Sequence, residues 1–274
     1  MDLTASDLTN YMLLKNMPTS VVIYLALLCF IFGLVMGSAL NCCAYRMANK
    51  KSWTKGHSIC PKCHHELKTK DLVPLFSYIF LKGKCRYCHK PMSKRYPITE
   101  LIMAVCYTAL LFRFDLSIQT IVCMILVSCL FTLSLIDLDT QTIPNRFLII
   151  PAVARIIQLL WQGGFEGLWA SLWPALILGG GILVVSLIMD KVLGKESMGG
   201  GDIKLLFVLG LFFTLPECLL LLVLSCIIGL IMAAILVKLK SGKAFPFGPA
   251  ISIAAFIVLL CGQAVTGWYL GLFM

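Results

Sequence analysis

Long apolar runs recur along this 274-residue chain, and they decide its solvent before any other feature does. Several approach the roughly 20 residues with which an α-helix crosses a hydrocarbon core about 30 Å thick. With 59% hydrophobic and 13% charged residues and a mean hydropathy of +0.93, the chain has more apolar surface than a water-soluble core could hide. About eight spans are predicted, over residues 21–40, 98–112, 118–136, 147–161, 168–189, 203–215, 219–237 and 250–270. The sixth is short and lies between Gly199-Gly200-Gly201 and Pro216, so a re-entrant course is the alternative there. The runs are apolar all round instead of alternating, which excludes a membrane β-barrel. The expected fold class is an all-α polytopic membrane protein. Acidic Asp2 and Asp7 stand where a signal peptide carries basic residues, so the first run is expected to remain in the protein.

Charge sets the expected orientation. Between the first and second spans, residues 46–95 carry 13 Lys or Arg against only Glu66 and Asp71, which the positive-inside rule assigns to the cytosol. The segments around residues 140–146, 191–201 and 238–243 then face the same side. The opposite side receives the N-terminus and the short turns, with Lys15 and Arg113 as its positive charges. The net charge of +10 does not point to nucleic acid, because the basic residues flank membrane spans, where orientation and anionic lipid account for them.

Of the 13 cysteines, nine lie within or beside apolar runs and read as small packing residues. The other four form two C-x2-C pairs, Cys60-Pro-Lys-Cys63 and Cys85-Arg-Tyr-Cys88, separated by 21 residues of the basic loop. That spacing matches a four-thiolate zinc ribbon. A disulfide framework is the alternative, and a reducing cytosol disfavours it. A loop of about 50 residues holds too little apolar content for a core of its own, so a structural Zn2+ would supply the folding energy. His57, His64, His65 and His89 lie close by and are read as solvated side chains.

In a membrane chain with 13 acidic residues, carboxylates beside spans stand out. Asp137 directly follows the third apolar run, where the helix dipole opposes negative charge, so simple anchoring would favour Lys or Arg there. Asp202 opens the sixth run after three glycines; an N-cap is its ordinary role, but a run without β-carbons also lets a substrate strand approach closely. Two carboxylates that meet can share a proton, one polarising an amide while the other activates water. Asp139 competes for the first position. On one helix Asp137 and Asp139 point about 200° apart, so only one of them could face a partner. A transporter or channel with boundary carboxylates is the rival reading from another class.

With these residues in place, the chain resembles a known family, the type IV prepilin peptidases of the wider GxGD aspartyl protease group. Gly37-Ser-Ala-Leu-Asn41 with Tyr45-Arg46 is similar to that family's GSFLNV and IYR signature, although Ala39 and Cys42 depart from it. The loop continues with SxCPxC at Ser58 to Cys63, DLVPLFSY at Asp71 to Tyr78, LKGKCRYC at Leu81 to Cys88, and SKRYPITE at Ser93 to Glu100. The first catalytic aspartate of the family matches Asp137, in Asp137-Leu-Asp139 before Ile143-Pro144-Asn145. The second matches Asp202 in Met198-Gly-Gly-Gly-Asp202. Gly199 and Gly201, with Pro246, Gly248 and Pro249 of a late Pro-Phe-Gly-Pro motif, are expected to shape the site.

The resemblance implies a bacterial inner-membrane enzyme. Its substrates would be prepilins and pseudopilins, cut behind a short basic leader at the cytosolic membrane face. It also implies N-methylation of the new terminus with S-adenosylmethionine as donor, although no glycine-rich nucleotide fingerprint follows a strand anywhere in the chain. The expected organisation is a non-cytosolic segment (1–20), a first transmembrane helix (21–45), a cytosolic four-cysteine domain (46–96) and a membrane-embedded peptidase core (97–274).

Overall fold

A backbone in lipid has no water to satisfy its N–H and C=O groups, and the apolar runs meet that constraint as helices. In the computed structural model, which describes residues 13–50, 52, 58–60, 62–194, 198–238 and 246–272, the long elements are all α-helical. They are α1 (Thr19–Ala48), the short α2 (Phe76–Phe80), α3 (Arg95–Phe114), α4 (Ile118–Thr140), α5 (Arg146–Ala175), α6 (Gly181–Leu193), α7 (Gly200–Gly210), α8 (Leu215–Lys238) and α9 (Gly248–Gly271). Among the described residues, six helices are long and apolar enough to cross a membrane. His57 and residues 239–245 lie outside the described part.

Two features separate these six from the predicted eight. The fourth and fifth apolar runs lie on one stretch counted as a single span, Arg146–Leu193, but non-helical backbone at Gly164 (φ 56°, ψ −150°) divides it into two helices, the second passing through a π-helical turn at Leu176–Gly180. Its 48 residues would measure about 72 Å if straight, more than twice a hydrocarbon core. The sixth run is α7, only 11 residues long and so about 16 Å, too short to span by itself.

The chain divides into two compact units, residues 1–124 and 125–274. In the first, α1 packs on α3 through small residues. A Cβ on Gly33 would fall 2.5 Å from the Ala104 Cα, and one on Gly37 would fall 2.8 Å from the Glu100 Cα. Only glycine permits that approach, and the Gly33-x3-Gly37 spacing puts both on one helix face, as in close membrane helix pairs. The cysteine loop belongs to this unit: the Leu75 N–H donates to Glu100 of α3, and Tyr78 donates to the Met92 carbonyl.

In the second unit α7 is an inner element. Leu205, Leu206, Val208, Leu209 and Gly210 are buried, and a Cβ on Gly210 would sit 2.4 Å from the Ala175 Cα. Arg155 of α5 donates to the Leu211 carbonyl just beyond the end of α7 and lies over the Phe212 ring. Glu217 accepts from both the backbone N–H and the hydroxyl of Thr214, closing the turn into α8. The short helix is thus anchored at the end opposite Asp202.

Candidate active site and metal centre

α4 runs unbroken to Thr140 and stops where Gln141 takes a positive φ of 57°, its N–H returning to the Asp137 carbonyl at 2.8 Å. Asp137 and Asp139 therefore both lie in the last helical turn and face opposite ways: Asp137 is buried, with 5% of its surface exposed, and Asp139 is exposed. Asp137 Oδ2 accepts the Gly248 N–H at 3.0 Å. That donor is the first residue of α9, so the positive end of a second helix dipole meets a carboxylate whose own helix presents it with the negative end. A Cβ on Gly248 would lie 2.7 Å from Asp137 Oδ2, which leaves no room for a side chain there.

α7 begins with Gly199 at its N-cap, in extended conformation, and Gly200 and Gly201 in its first turn. Asp202 is therefore the third helical residue and not the cap, which sets aside the ordinary structural role weighed for it. Its own N–H bonds the Gly199 carbonyl at 3.0 Å. Asp202 Oδ1 is buried with no hydrogen-bond partner, and it is the one such side-chain atom among the described residues. An orphaned buried oxygen costs roughly 1–3 kcal/mol and is kept where function requires it. The charge of Asp137 acts on Asp202, which places the two carboxylates in one electrostatic neighbourhood.

Ile143 joins the two halves of this site. A Cβ on Gly201 would meet the Ile143 Cβ at 2.9 Å, and one on Gly248 would meet its Cδ1 at 3.5 Å. The glycine positions that flank the two aspartates thus pack on the same side chain. Lys204 reaches Asn145 Oδ1 at 3.4 Å, tying the turn after α4 to the first turn of α7. Ile143 and Asn145 stand in the sequence beside Pro144, but nothing in their residue types discloses this packing. Pro246 and Pro249 flank Gly248 and are buried. The pair sits in the last turn of one helix and the first turn of another, not at mid-helix as a transporter's ion site would be.

The four loop cysteines converge. The sulfurs of Cys60, Cys63, Cys85 and Cys88 all lie within 4.8 Å of one another. Tetrahedral Zn–S bonds of about 2.3 Å require sulfurs roughly 3.8 Å apart, so the set fits a metal ion. Each C-x2-C pair is held in the same tight loop. One is closed by the Ile59–Glu66 bridge with Cys60 N–H to His65 O, the other by the Lys84–Pro91 bridge with Cys85 N–H to Lys90 O. His64 and His89 occupy equivalent positive-φ positions after the second cysteine of each pair and are exposed. They serve the turns, and His65 stacks on Tyr87 at 3.7 Å between ring centroids.

Residues 31–114 match the model of the bacterial peptidase A24 N-terminal domain, and residues 124–234 match that of the type IV leader peptidase family. Three similar proteins are called prepilin leader peptidase/N-methyltransferase. The Aeromonas hydrophila protein is 32% identical over 90% of this chain and 94% of its own length. The Pseudomonas aeruginosa protein is 34% identical over 88% and 91%, and the Bacillus subtilis protein 31% identical over 88% and 96%. No solved structure matches the chain. With both halves of the sequence matched and full-length relatives above 30% identity, the chain belongs to the type IV leader peptidase family.

Proposed function

We propose that this protein is a membrane aspartyl endopeptidase that removes the basic leader from type IV prepilins and pseudopilins at the cytosolic membrane face, with Asp137 and Asp202 as its catalytic pair. The observation that carries the reading is the orphaned, buried Asp202 Oδ1 in electrostatic reach of Asp137. Two neighbouring carboxylates hold one proton between them. The ionised member takes a proton from water as the oxygen attacks the scissile carbonyl, and the protonated member donates to the carbonyl oxygen. When the tetrahedral adduct collapses, the C–N bond breaks and the leaving amine takes up the proton. Gly199 keeps a side chain away from Asp202 and Gly201 leaves room for Ile143, while the Pro246–Pro249 turn brings the Gly248 N–H to Asp137.

The names of the relatives support a second activity, N-methylation of the newly exposed terminus. S-adenosylmethionine would supply an electrophilic methyl group for it. Zn2+ held by Cys60, Cys63, Cys85 and Cys88 would be structural, because four thiolates leave no coordination position for substrate.

The test is incubation of the purified protein with a prepilin, read by mass spectrometry for loss of the leader and then for a methyl increment. Asp137→Asn and Asp202→Asn should each abolish cleavage in protein that still inserts and folds, and Asp139→Asn should retain activity. Full activity in either of the first two variants sinks the assignment.

A further inference from the structure

Large apolar side chains in a loop poor in core are expected to point inward, and in α2 they do the reverse. Phe76, Ile79 and Phe80 are 54%, 61% and 81% exposed. Their i, i+3 and i+4 spacing puts all three on one face of the helix. The polar side of α2 is the side that is held: Ser77 is buried and donates to the Lys70 carbonyl at 2.8 Å, and Tyr78 donates to the Met92 carbonyl. A contiguous apolar face outside the apolar runs marks a surface that something covers.

The depth of this face is fixed by one hydrogen bond. Leu75, directly before α2, donates its N–H to the Glu100 carboxylate at 2.7 Å. Glu100 lies two residues past Ile98, where the second apolar run begins, so α2 starts at the level of the first turns of a membrane span. Ile98, Leu101 and Ile102 of those turns are likewise exposed, as side chains that meet lipid are. The surroundings of α2 are basic. Lys70, Lys82 and Lys84 flank it in the sequence and are exposed, and the nearest acid, Asp71, is already paired with Arg86. Lysines beside an apolar face lay their methylene stems along it and keep the ammonium among headgroups.

We propose that the Phe76, Ile79 and Phe80 face of α2 seats in the lipid interface among anionic headgroups, docking the cysteine loop on the bilayer that α1 and α3 cross. An apolar face rimmed by lysines is the chemistry of interfacial helices, which sink roughly 5–10 Å into the headgroup and acyl boundary. The apolar helix of a prepilin is the other occupant such a face could take. Lipid is favoured because the Leu75 to Glu100 bond holds the face at the membrane level and because the same lysines repel a basic leader.

Depth-dependent fluorescence quenching tests the docking. In the full chain with its five native tryptophans replaced by phenylalanine, Phe80→Trp introduces a reporter at an exposed position. The protein is reconstituted in phosphatidylglycerol vesicles whose acyl chains are brominated close to the headgroup or close to the chain end. Circular dichroism and prepilin cleavage report folding separately. Bromines near the headgroup should quench the reporter at least roughly twofold and more than deep bromines do, as an interfacial position requires. Lys90→Trp, on an exposed polar position in the same background, should be quenched by neither. Replacing phosphatidylglycerol by phosphatidylcholine should weaken the quenching of Phe80→Trp, and equal quenching in both would overturn the role of the lysines. An unquenched reporter at Phe80 overturns the docking, and an emission shift seen only when prepilin is added assigns the face to the substrate instead.

Discussion

At the scale of single residues, the glycines of the peptidase site divide into those that need to be glycine and those that do not. Gly248→Ala places a methyl group 2.7 Å from Asp137 Oδ2, so cleavage should fall to background as the carboxylate or the α9 N-terminus is pushed aside. Gly201→Val should suppress cleavage severely, because its side chain would strike Ile143. Gly200 has open space around its Cβ position, and Gly200→Ala should keep full activity and be neutral to stabilising by up to about 1 kcal/mol. Cleavage assays on the three variants check the contrast; an inactive Gly200→Ala would mean that backbone freedom, not space, is what the glycine run supplies. The run Gly199-Gly200-Gly201 was legible in the sequence as permissive backbone. Which of its members meets which neighbour was not, because Ile143 comes from a turn some 60 residues earlier.

At the scale of elements, two local features set how far helices run. Gly164 breaks the Arg146–Leu193 stretch with a φ and ψ that only glycine adopts readily, so Gly164→Ala should cost about 1–3 kcal/mol, whereas Gly163→Ala should be nearly neutral. Thermal melts in detergent separate the two. In the cysteine loop, burial pushes the Asp71 carboxyl up, but hydrogen bonds from Arg86, the Lys68 N–H and Tyr87 outweigh it and hold the group below its ordinary value. A carboxyl with a depressed folded pKa stabilises above about 3.9, and its contribution is lost only as pH falls through the lower folded value. Asp71→Asn should therefore lower the melting temperature by an amount that stays constant between pH 5 and pH 8. A difference that varies across that window would mean another group carries the effect.

At the scale of the whole molecule, metal and topology are the quantities to measure. Elemental analysis should find about one zinc per chain, and Cys60→Ser or Cys85→Ser should lower it, since each variant removes one of four ligands gathered within 4.8 Å. Metal-free protein of undiminished stability would rule out a structural ion. For orientation, single cysteines at Thr140 and Lys191 in a cysteine-depleted background should react with an impermeant probe only from the cytosolic side. Labelling of either from outside would move the aspartate pair to the other face, where a basic leader does not arrive.

The sequence by itself determined the solvent, the helical class and the two C-x2-C pairs that could hold a metal, and it singled out Asp137 and Asp202 as the candidate pair. These follow from local physics: run length against bilayer thickness, thiol spacing against a tetrahedral ion, and carboxylates where lipid makes them costly. Tertiary structure decided what depends on residues far apart in the chain. It set the break between two apolar runs at Gly164 and held α7 to 11 residues, anchored by Arg155 and Ala175, because kinks and anchors are packing events. It made Asp202 an interior helical residue with an orphaned oxygen and brought the Gly248 N–H across 111 residues to Asp137. It also tied Leu75 to Glu100 across 25 residues and so set the apolar face of α2 at the start of a span, since a contact between distant residues is written in no single stretch of sequence.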